Sequence, residues 1–126
     1  MYSINEEDIN LEKLNGRDYK LLASEDTLGC KNLCMGVSFF PPKKNGPSHA
    51  HHIEEEVIYC LEGEGEIILN NNPIKIKPGA VVYIPPDSIH SVNNLSSKNI
   101  KLVFIFSPST KIGSYKDLWY LNRMIV

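Results

Sequence analysis

The chain has 126 residues, with 13 basic and 15 acidic side chains and a formal net charge of −2. This length fits one domain that buries its own core. The near balance of charge argues against nucleic acid or an anionic membrane as the main partner. The N-terminal residues are polar and acidic, unlike a signal peptide, and no stretch reaches the length of a transmembrane helix. We therefore expect a cytoplasmic protein without a nucleic-acid or membrane partner.

The three cysteines give no even set for a disulfide framework. Cys30 and Cys34 are close in sequence, but on a strand that rises about 3.3 Å per residue their Cα atoms lie about 13 Å apart. A disulfide needs Cα atoms within about 7 Å. We predict three free thiols, which are typical of a reducing compartment such as the cytoplasm.

Short apolar runs between turn residues predict strands along most of the chain. For residues 1–16 two options stay open, a short helix capped by Ser3 and Glu6 or an extended arm. Strands are expected at 19–23, 31–40, 56–61, 66–69, 74–77, 81–84 and 100–106. We expect 66–69 to be the hairpin partner of 56–61, and Gly36 is a candidate bulge. Turn signals every eight to twelve residues, with no helical period, predict an all-β sandwich or barrel.

The expected single domain has three parts. Residues 1–30 form an N-terminal arm and first strand, residues 31–107 form the barrel core, and residues 108–126 form a C-terminal tail. The tail contains several apolar side chains, including Trp119, the one tryptophan of the chain. Buried aromatic side chains often anchor interfaces, so we expect the tail to pack on its own barrel or on a dimer partner.

Histidines are concentrated at two places in the sequence. Three of the four lie within residues 49–52, and the fourth is His90. On a strand, His49 and His51 point to the same face with Cα atoms about 6.6 Å apart. Two imidazoles at that spacing reach a common ion at about 2.0–2.1 Å each. We predict that the two segments meet and hold one metal ion.

A carboxylate beside the histidine pair would add a hard ligand and offset part of the charge of the ion. Strict alternation from His51 favours Glu55, whereas a bend followed by a strand that begins at Glu56 favours Glu56. The residues alone leave this choice open. His52 faces away from the pair on a regular strand and is expected at the rim. The competing interpretation is a solvated acidic face with surface histidines.

These segments resemble the two motifs of the cupin superfamily. The first motif is matched by His49, His51, Glu56 and Gly63, and the second by Gly79, Pro85, Pro86, His90 and Asn94. The resemblance covers roughly residues 35–107. It implies a double-stranded β-helix, which is a jelly-roll barrel, and it implies His49, His51, Glu56 and His90 as metal ligands.

Two positions depart from the family pattern. Lys43 and Asp87 stand where the cupin motifs have glycine, and both positions are turns. Aspartate tolerates turn conformations and bonds its own backbone. Neither residue is a ligand, so the departures concern the shape of the loops rather than the metal site.

The resemblance also implies what the site does. The cofactor would be one divalent transition metal, Mn, Fe, Ni, Co or Zn, with an open position for a ligand. The expected function is a metal-dependent enzyme, a dioxygenase, decarboxylase, isomerase or lyase that acts on a small oxygenated organic acid. The alternative is a non-catalytic module that binds or senses a small ligand. A homodimer is expected in either case, because small single-domain cupins are often dimers.

No catalytic residue beyond the ligands can be named from the sequence. Tyr59 and Tyr83 are interpreted as core residues more readily than as catalytic ones. Arg17 and Arg123 lie outside both motif segments, so an arginine clamp for a carboxylate or phosphate is not visible. The lysines at 43 and 44 are interpreted as a solvated loop.

Overall fold

The computed structural model describes residues 2–109 of the chain. These residues form a 3₁₀ turn, one short helix and ten strands. The 3₁₀ turn is Glu6–Asp8 and helix α1 is Glu25–Leu28. The strands are β1 (Glu12–Leu14), β2 (Arg17–Ala23), β3 (Cys34–Phe40), β4 (Lys44–Asn45), β5 (Glu55–Glu62), β6 (Gly65–Leu69), β7 (Asn72–Ile76), β8 (Val81–Ile84), β9 (His90–Asn94) and β10 (Ile100–Ser107).

The strands make two sheets in which every pairing is antiparallel. One sheet has six strands in the order β1-β2-β3-β10-β5-β8, and the other has four in the order β4-β9-β6-β7. This architecture confirms the predicted all-β class. No helix among residues 2–109 has the length and apolar character needed to cross a membrane.

The main core lies between the two sheets. Strand β5 alternates between exposed and buried side chains along its length, and its buried Ile58 and Cys60 belong to the same cluster as Ile67 of β6 and Val92 of β9. Full burial of such a side chain stabilises the fold by about 1.5–3 kcal/mol relative to exposure. Clustering of residues from both sheets therefore holds the sheets face to face.

The predicted hairpin between 56–61 and 66–69 is wrong. Strand β5 pairs with β10 and β8, whereas β6 pairs with β7 and β9. The chain crosses from one sheet to the other at Gly63, which has a φ of 85°. A side chain there would strike the carbonyl of Asn99, so the crossing needs a residue without Cβ.

Gly36 is not a bulge. It pairs in register with Leu21 on one side and with Phe104 on the other. The irregularity of this region lies in β2, between Leu21 and Ala23. A side chain at 36 would run into the Phe104 ring and the carbonyl of Lys20, so glycine is needed for close packing rather than for a bulge.

The structure tests the prediction for the N-terminal residues but not the prediction for most of the C-terminal tail. Near the N-terminus Asn5, rather than Ser3, caps the 3₁₀ turn by accepting a hydrogen bond from the Glu7 N–H at 3.0 Å. Residues 110–126, with Trp119 and most of the predicted tail, lie outside the described residues. The division of the chain at residues 30 and 107 stays a prediction.

Candidate metal centre

The two histidine segments are joined by their backbones. The His49 N–H donates to the His90 carbonyl at 2.9 Å, and the His90 N–H donates to the His49 carbonyl at 2.8 Å. This isolated antiparallel bridge brings the start of β9 beside the loop that precedes β5. The centroids of the two rings are consequently 4.2 Å apart.

His51 completes a cluster of three imidazoles. Its ring centroid lies 5.2 Å from that of His49 and 5.3 Å from that of His90. One nitrogen from each of the three rings lies within 4.8 Å of the other two. The side chains are buried, with His49, His51 and His90 only 7%, 2% and 2% exposed. Three convergent imidazole nitrogens of this kind can hold a metal ion.

Glu56 is the carboxylate that faces this cluster. Its Oε1 lies 3.3 Å from His51 Nε2 and 3.2 Å from His90 Nε2. Strand β5 begins at Glu55, whose side chain is exposed, and the next residue points inward together with Ile58. The alternation of inward and outward side chains therefore does not continue regularly from His51 but starts again in β5. This is the second of the two alternatives left open by the sequence, in which a bend precedes the strand and Glu56 shares the face of the histidines.

Backbone carbonyls orient two of the three rings. His49 Nδ1 lies 3.1 Å from the Pro47 carbonyl, and His90 Nδ1 lies 3.0 Å from the Ser88 carbonyl. A carbonyl only accepts, so in each neutral ring we assign the proton to Nδ1. Nε2 then carries the lone pair, and this is the arrangement that metal-binding histidines commonly show.

The environment sets the charges of the cluster. Burial lowers the pKa of His49 well below its ordinary value of 6.5, and His90, Arg17 and His51 lower it further. Burial acts to raise the pKa of Glu56, but hydrogen bonds from His51 and His90 and the positive charge that these rings carry when protonated outweigh it and bring that pKa from 4.5 to about 2. At neutral pH the cluster therefore combines a neutral His49 with an ionised carboxylate.

The donor set fits a divalent transition metal. Glu56 Oε1 and His90 Nε2 are both buried, and neither has a hydrogen-bond partner of proper geometry within residues 2–109. A buried polar atom without a partner costs about 1–3 kcal/mol. A cation between these atoms would remove that cost, because both atoms offer lone pairs to the same point.

A small cavity of about 40 Å³ adjoins the cluster. Since a water needs roughly 10–15 Å³ on this measure, the cavity has room for about three waters. His49, Glu56 and His90 form part of its wall. The rest is largely apolar, but Arg17 and Tyr19 of β2 also line it. The sequence analysis did not identify Arg17 as a residue of the site. A signal was available, because Arg17 lies two residues before Tyr19 and therefore shares its inward face of β2.

Other residues considered from the sequence lie outside the cavity. His52 is exposed, and its Nδ1 lies 2.8 Å from Asp87 Oδ1, which agrees with the rim position predicted for it. Tyr59 and Tyr83 are 42% and 52% exposed, so the expectation that they belong to the core is wrong. Both alternate with inward-facing residues of their strands and point away from the barrel.

Comparison with known proteins identifies the family. A family model described as "Cupin domain" matches residues 36–106, more than half of the chain. The chain belongs to the cupin family. This cupin is also similar to the solved structure of the polyketide cyclase RemF from Streptomyces resistomycificus, with a TM-score of 0.76 and 18% identity over 85% of this chain and 79% of that one. The likeness confirms the double-stranded β-helix fold.

Two curated relatives have a higher sequence identity to this cupin than RemF has. An uncharacterized protein of Methanocaldococcus jannaschii is 36% identical over 55 residues, which are 44% of this chain and 44% of that protein. Polyketide synthase CurC of Streptomyces cyaneus is 27% identical over 101 residues, 80% of this chain and 66% of that protein. The matches thus leave a third or more of each relative uncovered.

Proposed function

We propose that this protein is a metal-dependent cupin enzyme acting on a small oxygenated organic acid. His49, His51, Glu56 and His90 would hold one divalent ion, which is Mn, Fe, Co, Ni or Zn. The observation that carries the proposal is the convergence of three buried imidazoles and one carboxylate beside a cavity. Such a set leaves at least one coordination position for a ligand, as catalytic sites require.

The parts of the site would have separate roles in binding and activating a ligand. A bound divalent ion supplies Lewis acidity, which polarises a carbonyl or acidifies a water. Glu56 offsets part of its charge, and the Pro47 and Ser88 carbonyls fix the rings of His49 and His90. The apolar wall restricts the water that can compete with substrate. Dioxygenase, decarboxylase, isomerase and lyase reactions all suit such a site, and the names of CurC and RemF support an enzyme.

A non-catalytic module that binds or senses a small ligand is the second candidate. The observation in its favour is the small number of acid–base groups in the cavity wall. Beyond three of the proposed ligands, His49, Glu56 and His90, and beyond Arg17, the wall within residues 2–109 offers Tyr19 as its one titratable group. Burial, then Glu12, raises the pKa of Tyr19, so it can donate a proton near neutral pH but cannot serve as a base there.

Metal analysis of protein purified without added metal tests the proposed site. We expect about one ion per chain in the wild type and little in His51→Ala. His52→Ala, which changes the neighbouring exposed histidine, should keep the metal. Metal-free wild-type protein that also fails to take up added metal would contradict the site. Turnover on a panel of diketones and oxygenated acids separates an enzyme from a binding module.

We also propose that the protein is a homodimer. Strands β5, β8 and β10 present apolar side chains on the side of the sheet opposite the core. We define these side chains as the outer apolar face: Val57, Tyr59, Val81, Tyr83 and Ile105. They are cross-strand neighbours, since Val57 pairs with both Tyr83 and Ile105, and Tyr59 pairs with Val81. An apolar surface this continuous favours an interface.

A cytoplasmic location is proposed on the state of the thiols. Cys30, Cys34 and Cys60 form no disulfide, which agrees with the prediction from their number and spacing. Buried cysteines outside disulfides, such as Cys34 and Cys60, are typical of proteins kept in reducing surroundings.

A further inference from the structure

Ser38 is a buried hydroxyl in the apolar part of the cavity wall. It lies on β3, where Ser38 and Phe40 share a buried face, and both residues line the cavity. Ser38 is only 8% exposed, and none of the side-chain hydrogen bonds within residues 2–109 uses its hydroxyl. Serine is mostly found at the surface, so its presence at this position is not explained by packing.

The strands on either side of β3 make Ser38 the centre of a short row across the sheet. Ser38 pairs with Leu102 of β10 and with Tyr19 of β2. Side chains directly opposite on antiparallel strands have Cβ atoms about 4.5–5.5 Å apart. Tyr19 is 7% exposed and also lines the cavity. It therefore brings a second hydroxyl-bearing side chain to this part of the wall, whereas Leu102 keeps the other side apolar.

This row lies well away from the proposed metal ligands. Glu56 pairs with Phe106 of β10, and Ser38 pairs with Leu102, so four residues of β10 separate the two positions, which is about 13 Å along the strand. The side chains of Ser38 and Glu56 nevertheless line the same cavity. Phe104 comes between the two rows and contributes an apolar ring to the wall. The cavity therefore has polar groups in two separate places, with an apolar stretch between them.

A buried hydroxyl at this place suits a polar atom of a bound molecule. A serine hydroxyl has one donor and two acceptor lone pairs, so Ser38 can bond to a hydroxyl or a carbonyl oxygen. Burial of the hydroxyl costs free energy unless it is hydrogen-bonded, and the apolar neighbours Leu102 and Phe104 cannot supply a partner. A ligand with an alkyl group here would leave the hydroxyl unsatisfied and would bind less tightly.

We propose that Ser38 determines specificity by hydrogen bonding to an oxygen at the end of the ligand that lies away from the His49–His51–His90 cluster. Tyr19, its neighbour on β2, would donate a second hydrogen bond to the same oxygen. The ligand class would be short carboxylic acids that carry a hydroxyl group at the end opposite the carboxylate. This inference rests on the proposed metal site and adds to it the feature that separates hydroxy acids from plain alkanoic acids.

Ligand binding to cobalt-loaded protein tests the role of Ser38. The probes are 3-hydroxypropanoate, 4-hydroxybutanoate and 5-hydroxypentanoate, each compared with the acid in which a methyl group replaces the hydroxyl. Binding is followed by the visible absorption of Co²⁺ and by calorimetry. We expect the wild type to bind at least one hydroxy acid about tenfold more tightly than its methyl counterpart. Ser38→Ala should remove this preference without changing cobalt stoichiometry or weakening the methyl counterpart, and Tyr19→Phe should reduce it.

Two control variants remove hydroxyls that do not line the cavity. Ser91→Ala changes another buried serine, which is 7% exposed on β9, and Tyr83→Phe changes a tyrosine that is 52% exposed; both should keep the preference. The Tm of Ser38→Ala should equal or exceed that of the wild type, whereas loss of a purely structural hydroxyl would lower it. A wild type without any hydroxy-acid preference, or a preference that survives in Ser38→Ala, would overturn this inference alone. Wild type that takes up no cobalt would overturn the metal site and this inference with it.

Discussion

His49 and His90 exchange two backbone hydrogen bonds, of 2.9 and 2.8 Å, so the two proposed ligand segments are joined before any ion arrives. Preorganisation of this kind lowers the entropy that metal binding must overcome. It also means that the ion would bind the folded chain far better than the unfolded one, which lacks the bridge. Metal binding and folding stability should therefore be coupled.

The first prediction concerns that coupling. Metal at 100 times its dissociation constant should stabilise the fold by about 2.7 kcal/mol, which corresponds to a rise in Tm of roughly 10 °C for a domain of this size. Differential scanning calorimetry with and without a chelator measures the shift. His90→Ala should show none, whereas His52→Ala should respond like the wild type. An equal shift in His90→Ala would place the metal elsewhere.

The second prediction concerns acid stability of the metal-free protein. The folded pKa of His49 lies below 6.5, so the unfolded state takes up a proton first and stability falls as the pH drops below 6.5. Glu56 affects stability at lower pH, because its pKa falls from 4.5 to about 2 on folding. Its contribution is present above pH 4.5 and is lost as the pH falls toward 2.

Urea unfolding at a series of pH values separates these windows. His49→Asn should reduce the slope of the free energy of unfolding just below pH 6.5, and Glu56→Gln should reduce it below pH 4.5. Parallel pH profiles for wild type and both variants would contradict the assigned protonation states.

The third prediction concerns the two departures from the cupin glycines. Lys43 and Asp87 have φ values of 59° and 62°, so both adopt the left-handed conformation for which glycine is suited. This conformation costs a residue with a Cβ about 1–2 kcal/mol, part of which the greater freedom of unfolded glycine offsets. Lys43→Gly should therefore raise the free energy of unfolding by about 0.5–1 kcal/mol.

Asp87→Gly is the matched comparison. Aspartate tolerates the left-handed region better than lysine, and this substitution also removes the 2.8 Å contact with His52, which is worth little on the surface. We expect a smaller gain than for Lys43→Gly, with metal content unchanged in both variants. Chemical denaturation provides the measurement, and a loss of stability in Lys43→Gly would show that the loop does not retain this conformation.

The fourth prediction concerns the outer apolar face. Val81 is 65% exposed on β8, the edge strand of this face, and a charge there would have to be desolvated in an interface. Val81→Arg should raise the dissociation constant of the dimer at least tenfold, which analytical ultracentrifugation measures. Leu95→Arg provides a control, since Leu95 is 61% exposed and lies outside both sheets. A wild type that sediments as a monomer at high concentration would exclude this interface.

The sequence predicts the local pattern of this protein better than its long-range pairing. Period-two alternation in β5 and the asparagine turn at Asn70 and Asn71, both with positive φ, are short-range features. The change of sheet at Gly63 was not predicted, because a glycine turn has the same sequence signal whether or not the two strands that it joins pair with each other. Arg17 was missed for a related reason, since only the folded hairpin brings it to the histidines.

Gly36 controls the capacity of the cavity without touching it. The space that a side chain at this position would occupy is filled by the ring of Phe104, and that ring is part of the cavity wall. Any larger residue at 36 would force β2 away from β3 or push the aromatic ring inward, where it would displace bound molecules. The size of molecule that the cavity can admit thus depends on the absence of a methyl group at residue 36, on the far side of the Phe104 ring.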